Sequence, residues 1–306
     1  MHGSQEERGQ IMLTIKGLKV KYGTQTALWI DSPIHINPGE RVGIIGANGA
    51  GKSTLVQAIL GLVDYEGSIL SQITPEDMAV HMQFNEYVDT MPVKCIMETI
   101  LNTRIKNNRT LQELIEYFDF QECLKKKYHT LSGGQKQRLT IIMVMMQNKP
   151  LTFYDEVTSG LDFMTRQRLM ERLESWYKDK DNTLMLISHY YEELEQMADT
   201  LLLLDKGRVI AYGKKDELFQ TYCGDCIYIL QNTDSNRELL KKYSRVKSPE
   251  HLLAISCRGK EEEDDLLSLL ISRNLDFKRS SGDIEIMSVN AIDAYYAKRK
   301  GEERYE

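Results

Sequence analysis

No apolar run in this chain approaches the roughly 20 residues that a membrane-spanning helix requires. The longest, Ile141-Ile-Met-Val-Met-Met146 and Leu201-Leu-Leu-Leu204, fall far short. Any work at a membrane is therefore expected to need a partner that carries the chain there. Basic charge is not in excess either. The net charge is -6, which argues against a general nucleic-acid binder, whose surface must attract phosphate. Nor is there a cysteine framework. Cys95, Cys123, Cys223, Cys226 and Cys257 are odd in number and scattered, with no signal peptide pattern, which fits a reducing cytosol. Cys223-Gly-Asp-Cys226 is a lone C-x-x-C without two further ligands at comparable spacing, so the thiols are expected to be reduced and no metal is assigned to them.

What is present is a chain of 306 residues, long enough for about two domains. Its most informative stretch is Gly46-Ala-Asn-Gly-Ala-Gly-Lys-Ser-Thr54, preceded by Arg41-Val-Gly-Ile-Ile45 and followed by Leu55-Val-Gln-Ala-Ile-Leu60. It reads as strand, glycine loop and helix. The G-x-x-x-x-G-K-S spacing is that of a P-loop, in which backbone N–H groups and the positive end of the following helix surround nucleotide phosphates. Asn48, Gly49, Gly51 and Thr54 are candidate phosphate-binding positions, with Lys52 reaching the outer phosphates and Ser53 holding a magnesium ion through its hydroxyl.

Residues 1–11 are polar and patternless and are expected to be disordered or non-native, with Met12 a candidate natural start. From Leu13 to Tyr22 apolar positions alternate with a slip at Gly17, which predicts a strand with a bulge or turn. A second strand is expected from Thr26 to Ile36, and Tyr65 to Leu70 reads as a further hairpin segment. Met78 to Gln83 is a short apolar strand. From Val93 to Lys127 the three- and four-residue steps of Ile96, Ile100, Leu111, Leu114, Ile115 and Phe118 predict a small helical insertion.

Leu131-Ser-Gly-Gly-Gln135 then opens an apolar helix, Lys136 to Met146. A helix that begins in this way presents free N–H groups and a positive dipole end, a second potential phosphate site in one chain. One nucleotide seldom needs two such cradles from one subunit.

A P-loop followed by Leu131-Ser-Gly-Gly-Gln135 resembles the ATPases of ABC transporters. The resemblance covers about residues 12–222. It implies an α/β P-loop NTPase of the ABC-cassette type, with a mixed core sheet, an antiparallel β subdomain and a helical insertion. Leu151-Thr-Phe-Tyr-Asp155-Glu156 is similar to the family's Walker B strand, in which Asp155 contacts the Mg²⁺ shell and Glu156 positions or deprotonates the attacking water. Ser159-Gly-Leu-Asp162 matches the D-loop, and His189, at the end of an apolar strand, matches the switch histidine that contacts the γ-phosphate. Gln83 matches the Q-loop, with a place in catalysis and at the metal, and Tyr22 matches the aromatic residue that stacks on adenine. In the signature, Ser132, Gly134 and Gln135 are carried over as nucleotide contacts. Val157 stands where the family usually has proline, and Thr152 interrupts a usually all-apolar strand.

The resemblance further implies ATP and Mg²⁺ as cofactors and a head-to-tail homodimer, or a heterodimer with a related cassette, with ATP at the interface. It implies an integral-membrane permease as partner and no nucleic acid. The chain is expected in the cytoplasm, on the inner face of the plasma membrane through that permease. An exporter of drug, peptide, bacteriocin or surface polymer is the first expectation. The alternatives are an importer ATPase with a regulatory C-terminal domain, or a soluble ABC ATPase acting on nucleic acid or the ribosome.

Residues 225–306 restart an α/β pattern and read as a small accessory domain. Strands are expected at Ile227 to Leu230 and Leu252 to Ser256, and helices at Asn236 to Tyr243 and Glu261 to Ser272. A hairpin is expected with Leu275 to Lys278 and Ile284 to Met287 flanking Ser280-Ser-Gly-Asp283, before a final helix from Asn290 to Lys300. The acidic run Glu261-Glu-Glu-Asp-Asp265 is explained by the dipole of the helix it opens.

Overall fold

The computed structural model describes residues 11–81 and 87–302. The strand alternation at the start of the chain becomes β1 (Leu13–Tyr22), which pairs antiparallel with β2 (Gln25–Ile30) and β3 (Ile34–Ile36). The single strand expected from Thr26 to Ile36 is thus two strands. The break falls at Asp31-Ser-Pro33, where proline has no N–H to give to a ladder. β4 (Arg41–Ile45) runs through the glycine loop into α1 (Lys52–Ile59), and β5 (Glu66–Ser71) returns to pair antiparallel with β1. The slip at Gly17 is a bulge: its φ is +57° and the β1–β5 register shifts between Lys16 and Lys19.

β6 (Met78–His81) is followed by the helical insertion, α2 (Val93–Ile100) and α3 (Arg109–Tyr117). Then come α4 (Gly133–Met145), β7 (Leu151–Asp155), α5 (Phe163–Tyr177), β8 (Thr183–Ile187), α6 (Tyr191–Met197), β9 (Thr200–Asp205), β10 (Arg208–Lys214) and α7 (Lys215–Cys223). The ten-stranded sheet is mixed. β9, β4, β8, β7 and β6 lie side by side and parallel, while β10 and the β1 group add antiparallel pairings. This is the P-loop cassette with its antiparallel subdomain and helical insertion. The parallel strands are nearly continuous apolar runs, as strands covered on both faces must be.

The C-terminal part contains β11 (Cys226–Gln231), α8 (Asp234–Leu239), β12 (Arg245–Val246), β13 (Leu252–Cys257), α9 (Lys260–Ser272), β14 (Lys278–Ser280) and α10 (Ile284–Glu302). The order β12-β13-β11-β14, with every pairing antiparallel, is a ferredoxin-like βαββαβ unit. Alternate residues of β11 serve different cores. Cys226, Tyr228 and Leu230 pack with Leu266 and Leu270 of α9. Ile227 and Ile229 belong to the cluster that holds Ile284, Ile286 and Met287 of α10 and Phe219 of α7.

The hairpin expected at Ser280 to Asp283 does not form. Ile284 to Met287 is the first turn of α10, and Asp283 caps it by accepting the Ile286 N–H at 2.9 Å. An Ile-Glu-Ile-Met run fits either a two-residue or a helical period, and here the cap decides. α10 then runs back along the cassette, where the Tyr296 hydroxyl donates to Asp205 at 2.7 Å.

Candidate functional site

In an open α/β sheet, ligands bind beyond the carboxyl ends of the parallel strands. Here the segments that follow β4, β7, β8 and β9 converge on one cavity of about 740 Å³. β4 delivers Asn48, Gly49, Gly51, Lys52, Ser53 and Thr54; β7 delivers Asp155 and Glu156; and β8 delivers His189. Nine of the residues singled out in the sequence therefore line one space. The loop geometry depends on glycine. A Cβ on Gly46 would lie 2.4 Å from the Leu204 carbonyl oxygen, and Gly51, at φ +103°, caps α1 without a side chain.

Lys52 is buried, and its Nζ donates to the Gly46 and Ala47 carbonyls at 2.7 and 3.1 Å. Burial lowers its pKa, and the charges of Glu156 and Asp155 oppose that. Asp155 moves the other way. Burial and then the Glu156 charge raise its pKa, against Lys52, His189 and a hydrogen bond from Ser53. The Ser53 hydroxyl and the Asp155 carboxylate are hard oxygen donors in contact, and a carboxyl raised by burial beside a second carboxylate is a place where a cation would be favoured. That donor set suits Mg²⁺, which takes one or two carboxylates together with substrate phosphates. Among the described residues no cluster of three or more His, Cys, Asp or Glu could hold a metal on its own.

Glu156 stands at φ +48°, a left-handed conformation unusual for this residue type, and its N–H is held by the Ile187 carbonyl at 2.9 Å. Its Oε1 lies 2.6 Å from Nε2 of His189. The two departures from the family pattern have packing roles. Val157 is buried in the core, and the Thr152 hydroxyl bonds to Tyr177, which is joined to Tyr154 at 2.8 Å. Thr152 is thus a satisfied buried polar group.

Other expected site residues lie elsewhere. Ser132 caps α4 in a capping box: its Oγ accepts the Gln135 N–H at 3.3 Å, and the Gln135 Oε1 accepts the Ser132 N–H at 3.2 Å. Neither residue lines the P-loop cavity, and Gly134 lines a separate cleft with Leu161 and Arg138. Asp162 caps α5 by accepting from the Thr165 hydroxyl and N–H at 2.6 and 3.1 Å, which hold its carboxyl below the usual range. Tyr22 is exposed, its hydroxyl donates to Gln57 at 3.0 Å, and it is not among the cavity's lining residues. Gln83 and residues 1–10 lie outside the described residues.

The structure adds residues that the motifs did not announce. Gln25, Thr26 and Ala27 at the start of β2, and Lys206 and Gly207 in the β9–β10 turn, line the same cavity. Lys206 sits in a turn legible in the sequence, but its approach to the P-loop follows from sheet order. His81, fully buried at the end of β6, contacts Gln137 of α4 at 3.1 Å, and burial lowers its pKa to about 4, so it is neutral at physiological pH.

The ABC transporter family model matches residues 31–159. An energy-coupling factor transporter ATP-binding protein of Latilactobacillus sakei is 30% identical over 225 residues, 68% of this chain and 80% of its own length. A linearmycin resistance ATP-binding protein of Bacillus subtilis is 29% identical over 246 residues, 75% of this chain and 78% of its own. Among solved structures, an ATP-binding subunit of an ABC transporter superposes with a TM-score of 0.61 at 26% identity, covering 69% of this chain and 93% of that one.

Proposed function

Since the chain belongs to the ATP-binding subunits of ABC transporters, ATPases that power transport, we propose that its P-loop cavity binds ATP and Mg²⁺ and hydrolyses the γ-phosphate with Lys52, Glu156 and His189. The observation that carries this reading is the convergence of Lys52, Ser53, Asp155, Glu156 and His189 on one cavity, with Glu156 and His189 2.6 Å apart. The loop N–H groups and Lys52 bind and orient the phosphates, for which the ammonium exchanges its two carbonyl partners for phosphate oxygens. Glu156 accepts a proton from the attacking water, and His189 holds that carboxylate and reaches the γ-phosphate. Ser53 and Asp155 would hold Mg²⁺, with Gln83 completing the site; the ion supplies charge neutralisation at the phosphates. Tyr22 supports the adenine.

Ser132, Gly134, Gln135 and Asp162 lie outside this cavity and serve the nucleotide of a second cassette in a head-to-tail dimer. No helix among the described residues is long and apolar enough to cross a membrane. A separate permease places the dimer at the cytoplasmic face, and export is the direction proposed, with a resistance protein and a methionine importer both among the relatives. The purified chain is expected to release phosphate from ATP with Mg²⁺ and to stop in excess EDTA. Co-purification with a membrane permease, followed by stimulation with candidate substrates, tests partner and direction. ATPase activity indifferent to EDTA would overturn the metal assignment.

We also assign residues 12–222 to the cassette and 225–306 to the accessory unit. Phe219 and Cys223 of α7 share a core with Ile227 and Ile284, so the boundary cuts through packed side chains. Removing residues 225–306 exposes them, at a cost of about 3 kcal/mol, or a Tm about 10 °C lower for a chain of this size. The melt should stay cooperative, because the cluster around β1, β4 and α1 lies wholly within the cassette. Calorimetry that finds no cooperative transition would place the boundary elsewhere.

A further inference from the structure

Glu193, on α6, is 5% exposed, yet it is not part of the P-loop cavity. Both of its carboxylate oxygens are taken by hydroxyls from other segments. Oε1 accepts from Thr158 Oγ1 at 2.5 Å, and Oε2 accepts from Ser188 Oγ at 2.6 Å. All three groups are buried, with Thr158 at 1% and Ser188 at 6% exposure. The Ser188 hydroxyl in turn accepts the Tyr190 N–H at 3.0 Å. Arg166 of α5 closes the cluster: its guanidinium lies 3.7 Å from the Tyr190 ring centroid, and its Nε is 3.9 Å from Glu193 Oε1.

The positions of the two hydroxyls give this cluster its meaning. Thr158 comes two residues after Glu156, and Ser188 comes immediately before His189. One carboxylate therefore ties the loop that carries the proposed base to the strand end that carries its histidine partner, and Glu156 and His189 meet at 2.6 Å just beyond the tie. Packing alone would not ask for a carboxylate here. A buried Glu needs partners for both oxygens, and an apolar side chain on α6 would fill the same space without desolvating a charge.

We propose that Glu193 is a positioning residue for ATP hydrolysis: by bonding Thr158 and Ser188 together it sets the spacing of Glu156 and His189 without touching nucleotide. This inference rests on the assignment of Glu156 and His189 as the catalytic pair. A displacement of about 1 Å in a reacting group costs about 10²-fold in rate. Binding of ATP by the P-loop does not draw on the tie.

The test is steady-state phosphate release and nucleotide affinity in the full chain, with Glu156→Gln and His189→Ala as references. Glu193→Ala is expected to lower kcat by about 100-fold with KM and nucleotide Kd within about threefold, the pattern of an interaction that matters only in the transition state, and to keep a cooperative melt. Glu193→Gln is expected within about fivefold of wild type, since its amide can accept from Thr158 and donate to Ser188. Thr158→Val and Ser188→Ala remove one hydroxyl each and should each lower kcat about tenfold; they decide the matter if Glu193→Ala does not fold. Combining Glu193→Ala with His189→Ala should add little to the larger single loss, because both act on one constellation.

A Glu193→Ala variant that melts lower while turning over normally overturns the proposal, because the role is then structural alone. So do a Gln variant as impaired as the Ala variant, or losses that multiply in the double variant. If Glu156→Gln and His189→Ala both keep wild-type turnover, the catalytic pair is wrong and the tie falls with it. If those two are inactive while Glu193→Ala is normal, only the tie falls.

Discussion

Glu156→Gln is expected to bind ATP at least as tightly as the wild-type chain and to lose about 10³-fold in turnover, within the range that a positioned general base contributes. The two halves of this expectation come from different parts of the cavity. Phosphate binding is proposed for the loop from Gly46 to Thr54 and for Lys52, whose Nζ is held by the Gly46 and Ala47 carbonyls. Glu156 adds negative charge beside Asp155, whose pKa is raised first by burial and then by that charge. Removing the charge relieves a repulsion that a polyanionic ligand would also feel. Glutamine keeps the shape, tolerates the left-handed backbone as glutamate does, and can still hydrogen-bond to His189 Nε2. What it cannot do is accept a proton from water. Fluorescent-nucleotide titration and phosphate release measured on the same preparation separate the two halves. Unchanged phosphate release would end the general-base assignment, and lost nucleotide binding would make Glu156 a structural residue of the loop.

The second large effect is expected at Ser132. In the Glu156→Gln background, ATP should accumulate a dimer, and adding Ser132→Arg should return the chain to monomer in gel filtration. Ser132 is exposed at the N-terminus of α4 and lies outside the P-loop cavity of its own subunit. If its free N–H end serves a partner's nucleotide, nothing long can stand at the cap, because backbone must approach phosphate closely. The substitution also removes the capping box, but that is worth only about 1 kcal/mol. Ser132→Ala is the comparison: it loses the cap and one nucleotide contact but leaves the approach open, so it should still dimerise, at a higher ATP concentration. A Ser132→Arg chain that dimerises on ATP would contradict the shared site.

Much of the site was legible residue by residue. Lys52, Ser53, Asp155, Glu156 and His189 are marked by short motifs because the phosphate binding and water activation proposed for them demand particular groups at particular spacings, and the structure brings them to one cavity. The helical insertion was legible because α2 and α3 carry strong three- and four-residue periodicity. The start of α10 reads as a strand in sequence because four residues with alternating apolar positions are ambiguous between the two periods, and the deciding interaction, Asp283 with the Ile286 N–H, is a local cap that also reads as a turn. Lys206, Gly207 and the start of β2 could not be found in sequence as cavity residues, since they reach the P-loop only through the order of strands.

The division follows from the range of the forces. By itself the sequence determined the ATP-binding family and marked two candidate phosphate cradles, since each is a contiguous stretch whose backbone conformation and charge are set within a dozen residues. Only the tertiary structure decided which groups face one another. The parallel strands bring the ends of β4, β7 and β8 to one cavity and leave Ser132 and Asp162 outside it. The same stacking buries Glu193 against hydroxyls 35 and 5 residues away. A pairing of that kind is written in no motif, because its stability comes from the desolvated space that the packed elements create around it.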